Sequence, residues 1–233
     1  GSGDVRVGHQ WVWTERTTYN PVGGFNDVYS GALYRNIVDP TIVNDPVTGI
    51  PTPFRATYEV ETAGPDDTLD VPADAVTWDV ESKTWVPVPA GTTAVSKATF
   101  DYSKFLGANW HHGQPITLAD AVYSIAQGME LAYDPEKVRI ETAIAVTSRP
   151  ILETFKGYRL TDDDRLEVYV DYWHFDEDHI GAYANPVGFD MPWELKAAMD
   201  KLVFEERRAA YSDTAASRFS VPWVSLVLER DAG

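Results

Sequence analysis

The chain contains no cysteine. That excludes disulfides, thiol nucleophiles and thiolate metal sites together, and it fits either side of a membrane. No apolar run approaches the ~20 residues needed to span a bilayer. Basic residues are scarce: 19 Lys and Arg stand against 36 Asp and Glu, a formal net charge of -17. An acidic surface of this kind repels phosphates and anionic headgroups, so no nucleic-acid partner is expected. It favours cationic ligands, but a solvated acidic surface without ligand meaning is the reading preferred on general grounds. The sequence also lacks G-x-S-x-G, H-E-x-x-H, a P-loop and G-x-G-x-x-G. With no nucleophile–base arrangement in view, no catalytic residue is assigned and no enzyme is expected. Opposed carboxylates of a glycosidase leave no local signature, so a secreted acidic carbohydrate-active enzyme stands as the alternative.

What remains reads as a globule. The 233 residues are 44% apolar and include eight Trp, enough for one or two domains. His9 to Thr14 reads as a first strand, residues 19–26 as a Pro- and Gly-rich loop, and Val28 to Val38 as a helix. Asp45-Pro46-Val47-Thr48-Gly49 is a turn, and Phe54 to Thr62 alternates as a strand. Residues 63–74 form a loop, and residues 76–80 and 84–88 flank Glu81-Ser82-Lys83 as a hairpin with Pro87 on a sheet edge. Ala98, Phe100 and Tyr102 mark another strand. Asp134-Pro135-Glu136 opens a helix toward Thr147, which Arg149-Pro150 interrupts before a further helical turn to Phe155. Leu166 to Trp173 alternates strictly, the clearest strand in the chain. Pro192-Trp193 begins a helix through Met199 and Val203, with short helices at Tyr211 to Arg218 and Pro222 to Glu229. The class is mixed α and β, with helices packed on a mixed sheet and antiparallel pairing among adjacent strands.

The most informative run is Asn109-Trp110-His111-His112-Gly113-Gln114-Pro115-Ile116-Thr117, continuing to Ile125. It joins a tight turn to a helix start, where Thr117 and Asp120 form a near capping box. Val122, Ile125 and Met129, with Leu118 and Ala121 one turn back, make the stripe expected to face the core. The run resembles the W-H-D-G-x-P-[IL]-T-A-x-D-V-x-[YF]-S segment of family 5 extracellular solute-binding proteins. These are the oligopeptide, dipeptide and nickel receptors of ABC importers. His112 replaces the usual Asp, and Ala121 the usual Val. A second patch is similar to the family's early N-P and D-P-x-T-G region: Asn20 to Tyr29, Leu33-Tyr34 and residues 45–49.

The resemblance implies a periplasmic-binding-protein-like (type II) partial fold and capture of a peptide or similar polar solute outside the membrane. Delivery to an ABC permease follows, with no cofactor and no membrane-spanning segment. In this family two lobes grip the ligand, so residues 4–233 are expected to be a portion of the first lobe, partnered by the remainder of the receptor. Within it, residues 4–60 would face the cleft, and residues 61–233 would form a helix-and-strand subdomain. Gly1-Ser2-Gly3 is expected to be a cloning remnant, and a receptor of this kind needs a leader and often a lipid-bearing anchor. The location is therefore expected to be extracellular or periplasmic.

Candidate ligand contacts are Asn20, Gly23, Gly24, Asn26 and Tyr29, where glycines allow close approach and amides both donate and accept. Trp110 joins them. An ordinary turn explains the same loop, and core packing explains the Trp. His174 and His179 with Asp176, Glu177 and Asp178 between them have metal-ligand chemistry, but residues five apart leave a helix on different faces. That run reads as a solvated acidic loop, Asp162-Asp163-Asp164 as a turn, and no metal site is assigned.

Overall fold

The computed structural model describes residues 20, 22–24, 31, 34, 35 and 38–224. The strand expected at 9–14 and most of the helix expected at 28–38 lie outside the described residues. The chain first forms a small hairpin, β1 (Ile42–Asn44) with β2 (Pro51–Pro53), around the expected turn. Asp45 closes that turn by accepting from the amides of Val47 and Thr48 at 2.9 and 2.7 Å.

Next come β3 (Thr57–Thr62), β4 (Leu69–Asp70), β5 (Val76–Asp79), β6 (Thr84–Pro87), β7 (Thr93–Ala94) and β8 (Ser96–Asp101). After a run of helices, β9 (Phe155–Leu160) and β10 (Leu166–Val170) complete a six-stranded sheet ordered β3-β8-β10-β9-β5-β6. Every pairing in it is antiparallel, which corrects the expected mixed sheet. The hairpin at 76–87 pairs Trp78 with Trp85, and β6, carrying Pro87, lies on an edge where a missing amide costs nothing to the ladder.

Alternation along β10 predicts one buried and one solvated face, yet all five residues are buried. Leu166, Val168 and Val170 pack into a core with Phe100, Tyr102, Ile125 and Phe189. On the other face Tyr169 sits under Val71, Ala75, Val88 and Ala94, carried there by the short β4–β7 ladder inside the predicted 63–74 loop and its neighbour. Glu167 is tolerated on that covered face because it accepts from the Tyr169 hydroxyl at 2.7 Å and from Arg159 at 3.1 Å.

The helices gather on the other part of the chain: α1 (Ser103–Leu106), α2 (Leu118–Tyr133), α3 (Pro135–Ile140), α4 (Thr142–Leu152), α5 (Glu177–Ala184), α6 (Trp193–Asp200) and α7 (Asp213–Phe219). In α2 the buried face carries Ala121, Ile125, Ala126, Leu131 and Ala132, whereas Val122 is exposed. The stripe is therefore rotated from the one expected, because Asp120 and Gln127 are also buried, each satisfied by hydrogen bonds. The helix expected to run on from Pro135 breaks at Glu141, whose side chain turns inward. Pro150 does not interrupt α4; it lies one turn from the end, near the exposed Val146. The carbonyl that loses its donor there can be hydrated. Phe155, expected in a further helical turn, starts β9. The 176–184 stretch, expected as a loop at its acidic start, is α5 with Asp176 as N-cap. Pro222 to Val224 is extended rather than helical, with Trp223 bridged in parallel to Ala210, and the rest of that expected helix is outside the described residues.

Candidate functional site

The Trp110 turn is built by its own backbone. Trp110 N–H donates to Gln114 O and Gly113 N–H to Trp110 O, both at 2.8 Å, and Asn109 bridges Pro115. Gly113 adopts φ +95°, a conformation an L side chain resists. The turn delivers the chain to Thr117, which caps α2, and Asp120 returns one oxygen to the Thr117 amide at 2.8 Å. The second Asp120 oxygen accepts from the Trp193 amide at 2.9 Å, so a single buried carboxylate serves the first residues of both α2 and α6.

This corner leaves Trp110 half-buried against the core and facing a recess of about 590 Å³. Phe105, Phe189, Met191 and Leu195 supply its apolar wall, and Arg55, Asp39 and His111 its polar one. A second recess of about 520 Å³ adjoins the first through Tyr34, Val38 and Asp190, and together the two make up the groove. Lys196 lies in this second part, only 7% exposed, with Nζ 2.8 Å from Ser124 Oγ and 3.0 Å from Asp190 Oδ1. The acids of the groove are thus matched to cations: Asp39 makes a two-point pair with Arg55 at 2.7 Å, and Asp190 pairs with Lys196. Lys196 was not legible as a candidate, although its spacing from Met199, and from Val203 in the π-helical turn Lys201–Glu205 that continues α6, places a cation on an apolar stripe. That misfit is the signal that marks it.

The Gly-rich loop serves the fold. Asn20 is fully buried; its Oδ1 accepts from the amides of Val22 and Gly23 at 2.9 and 2.8 Å, and its Nδ2 donates to Tyr211 O at 3.0 Å. Gly23 passes so close that an added Cβ would stand 2.2 Å from the Tyr211 carbonyl. Gly24 closes the turn at φ +73°. Asn20 is committed to Tyr211, and Gly23 borders a separate recess of about 260 Å³ with Ala143, Ile144 and Tyr211; among the described loop residues Val22 reaches the groove. Asn26 and Tyr29 lie outside the described residues. Of the expected contacts, Trp110 alone is seen lining the groove.

Beneath α2 lies a buried polar network. Asp200 accepts from Tyr211 OH at 2.7 Å, Gln127 Nε2 at 2.8 Å and Tyr123 OH at 3.0 Å, and Lys137 stands 3.6 Å away while holding Glu130 at 2.6 Å. Burial and the Asp200 charge together push both tyrosine hydroxyls well above their ordinary range. Glu141, with no exposed surface, accepts from Tyr211 N–H and Ser212 Oγ at 2.6 Å each. Its burial raises the carboxyl above the usual range despite those bonds.

His174 and His179 do meet, ring centroids 4.3 Å apart, because α5 begins only at Glu177. The acids between them have other work: Asp176 caps α5, and Asp178 accepts from Tyr58 OH at 2.9 Å. Among the described residues no group of three or more His, Cys, Asp or Glu is placed to hold a metal ion. Asp162 to Asp164 form the expected turn into β10, closed by Thr161 N–H to Arg165 O at 2.9 Å. Among the described residues no helix is long and apolar enough to cross a membrane. No family model matches this chain, and no curated protein matches it.

Proposed function

We propose that this chain is part of the first lobe of an extracellular solute-binding protein of family 5 type, with the type II periplasmic-binding architecture. It captures a peptide or similar polar solute outside the membrane and hands it to an ABC permease. The observation that carries the reading is the groove beside the Trp110 turn, formed by the stretch in which the sequence resembles that family. An aromatic face, an apolar wall and a few fixed polar groups are the ingredients of a small-molecule site.

The groove is open, so one wall alone excludes little water. A second lobe carried by the rest of the receptor would close over the solute. A ligand touching both walls then favours the closed state by its differential affinity. The carbohydrate-enzyme alternative draws no support from the acids of the groove, since Asp39 and Asp190 each face a cation.

Calorimetric titration with peptide mixtures and with Ni²⁺ tests the reading, comparing this chain with the full-length receptor. Saturable heat is expected from the receptor and little from this chain at micromolar protein. Tight, saturable binding by this chain alone would overturn the one-wall argument.

A further inference from the structure

The second recess holds a buried cation with hydrogen-bonding capacity to spare. An ammonium carries three N–H donors. Lys196 uses one on Ser124 Oγ and one on Asp190 Oδ1, which leaves the third with no acceptor among the described residues. The Thr41 hydroxyl accepts from Asn185 Nδ2 at 2.7 Å, so its own proton is uncommitted. Ser148 lines the same recess, and its hydroxyl bonds nothing among the described residues. Gln127 Nε2 is spent on Asp200, so that side chain turns only its Oε1 to the recess, where the Asp190 carboxylate is the other acceptor beside Lys196. The Thr41 and Ser148 hydroxyls can accept as well as donate, but the third Lys196 N–H can only donate, and it is cationic and almost wholly buried.

We propose that this recess seats a carboxylate of the captured solute, with Lys196 as its principal donor and Ser148 and Thr41 beside it. The inference rests on the solute-capture reading and specifies which end of the solute enters. Lys196 already cancels the charge of Asp190, so an entering anion meets a neutral pair rather than a bare carboxylate. At long range the net charge of -17 repels anions, so any preference for the acid form must arise locally.

The test is an NMR titration of the ¹⁵N-labelled chain with trialanine and with trialanine amide, at matched ionic strength and at up to about 50 mM peptide. This method detects the weak binding expected of an open groove. The acid is expected to shift the resonances of Lys196, Ser124 and Ser148 and to bind about tenfold or more tightly than the amide, the range for hydrogen bonds to charged groups. Lys196→Met should abolish the preference. Ser148→Ala should reduce it about two- to fivefold without touching the fold, because among the described residues that hydroxyl bonds nothing.

Equal binding of acid and amide overturns the assignment. So do shifts confined to Trp110 and its neighbours with Lys196 silent, and in that case solute capture survives. Silence throughout the groove with both peptides overturns the carboxylate seat alone, because the capture reading expects little binding from a single wall and is tested on the full-length receptor.

Discussion

The sheet and the helical part of this protein solve the same burial problem with different materials. Around β8 and β10 the core is apolar and aromatic: Phe100 stacks on Tyr102 at 5.7 Å and meets Tyr58 edge-on at 5.9 Å, over Val168 and Val170. Under α2, α6 and α7 an apolar cluster of Leu131, Met199, Val203 and Tyr211 is threaded by Asp200, Glu141, Gln127 and Lys137. Dispersion and apolar burial are non-directional and indifferent to pH. A carboxylate that accepts several buried donors fixes orientation, but it responds to protonation and to loss of any partner. The helical part is therefore the more precisely oriented and the more fragile under changes of charge. It is also the part that positions Lys196 and the second recess.

Three changes sharpen that contrast. Phe100→Ala should cost the most, about 3–5 kcal/mol, with the same loss at pH 5 and pH 8 in urea unfolding. A marked pH dependence of that loss would contradict an apolar sheet core. Asp200→Ala should cost about 3 kcal/mol, since the donors of Tyr123, Gln127 and Tyr211 would be left without their acceptor. Amide hydrogen exchange should then quicken in α6 and α7 while β8 and β10 stay protected; uniform quickening would mean that the two parts unfold as one.

The smallest effect is expected from Glu141→Gln, and its sign depends on pH. Burial raises the folded-state pKa of Glu141 above its unfolded value, so the unfolded chain releases this proton first. Its contribution to stability is fully present below the unfolded pKa and is lost as pH rises through the folded one. Gln cannot ionise and still accepts from Tyr211 N–H. The variant should therefore gain on the wild type, by about 1 kcal/mol or less, as pH rises over that window. Thermal melts across pH 4 to 8 read this directly, and a constant gap between the two proteins would refute the burial argument.

Much of the fold could be read from periodicity and capping. The strands at 57–62, 84–87, 96–101 and 166–170 and the α2 start at Thr117 follow two-residue alternation or local cap chemistry. What escaped was set by tertiary cover. β9 runs Phe-Lys-Gly-Tyr-Arg-Leu, a pattern with no clean alternation, and it becomes a strand because β10 and β5 pair with it on either side. The acidic start of α5 reads as solvated loop, although Asp176 followed by Glu177 and Asp178 is also an N-terminal helix signal. In the groove, Trp110 was legible from its turn. Lys196 was not, because its role depends on Ser124, 72 residues away in sequence, and on the Asp190 carboxylate.

The Tyr211 carbonyl receives both Asn20 Nδ2, 191 residues away, and Trp223 Nε1 at 2.8 Å. Positions near the two extremes of the described chain are thus fastened to one oxygen atom. One acceptor couples stretches far apart in sequence, so that loosening either donor bears on how the other is held.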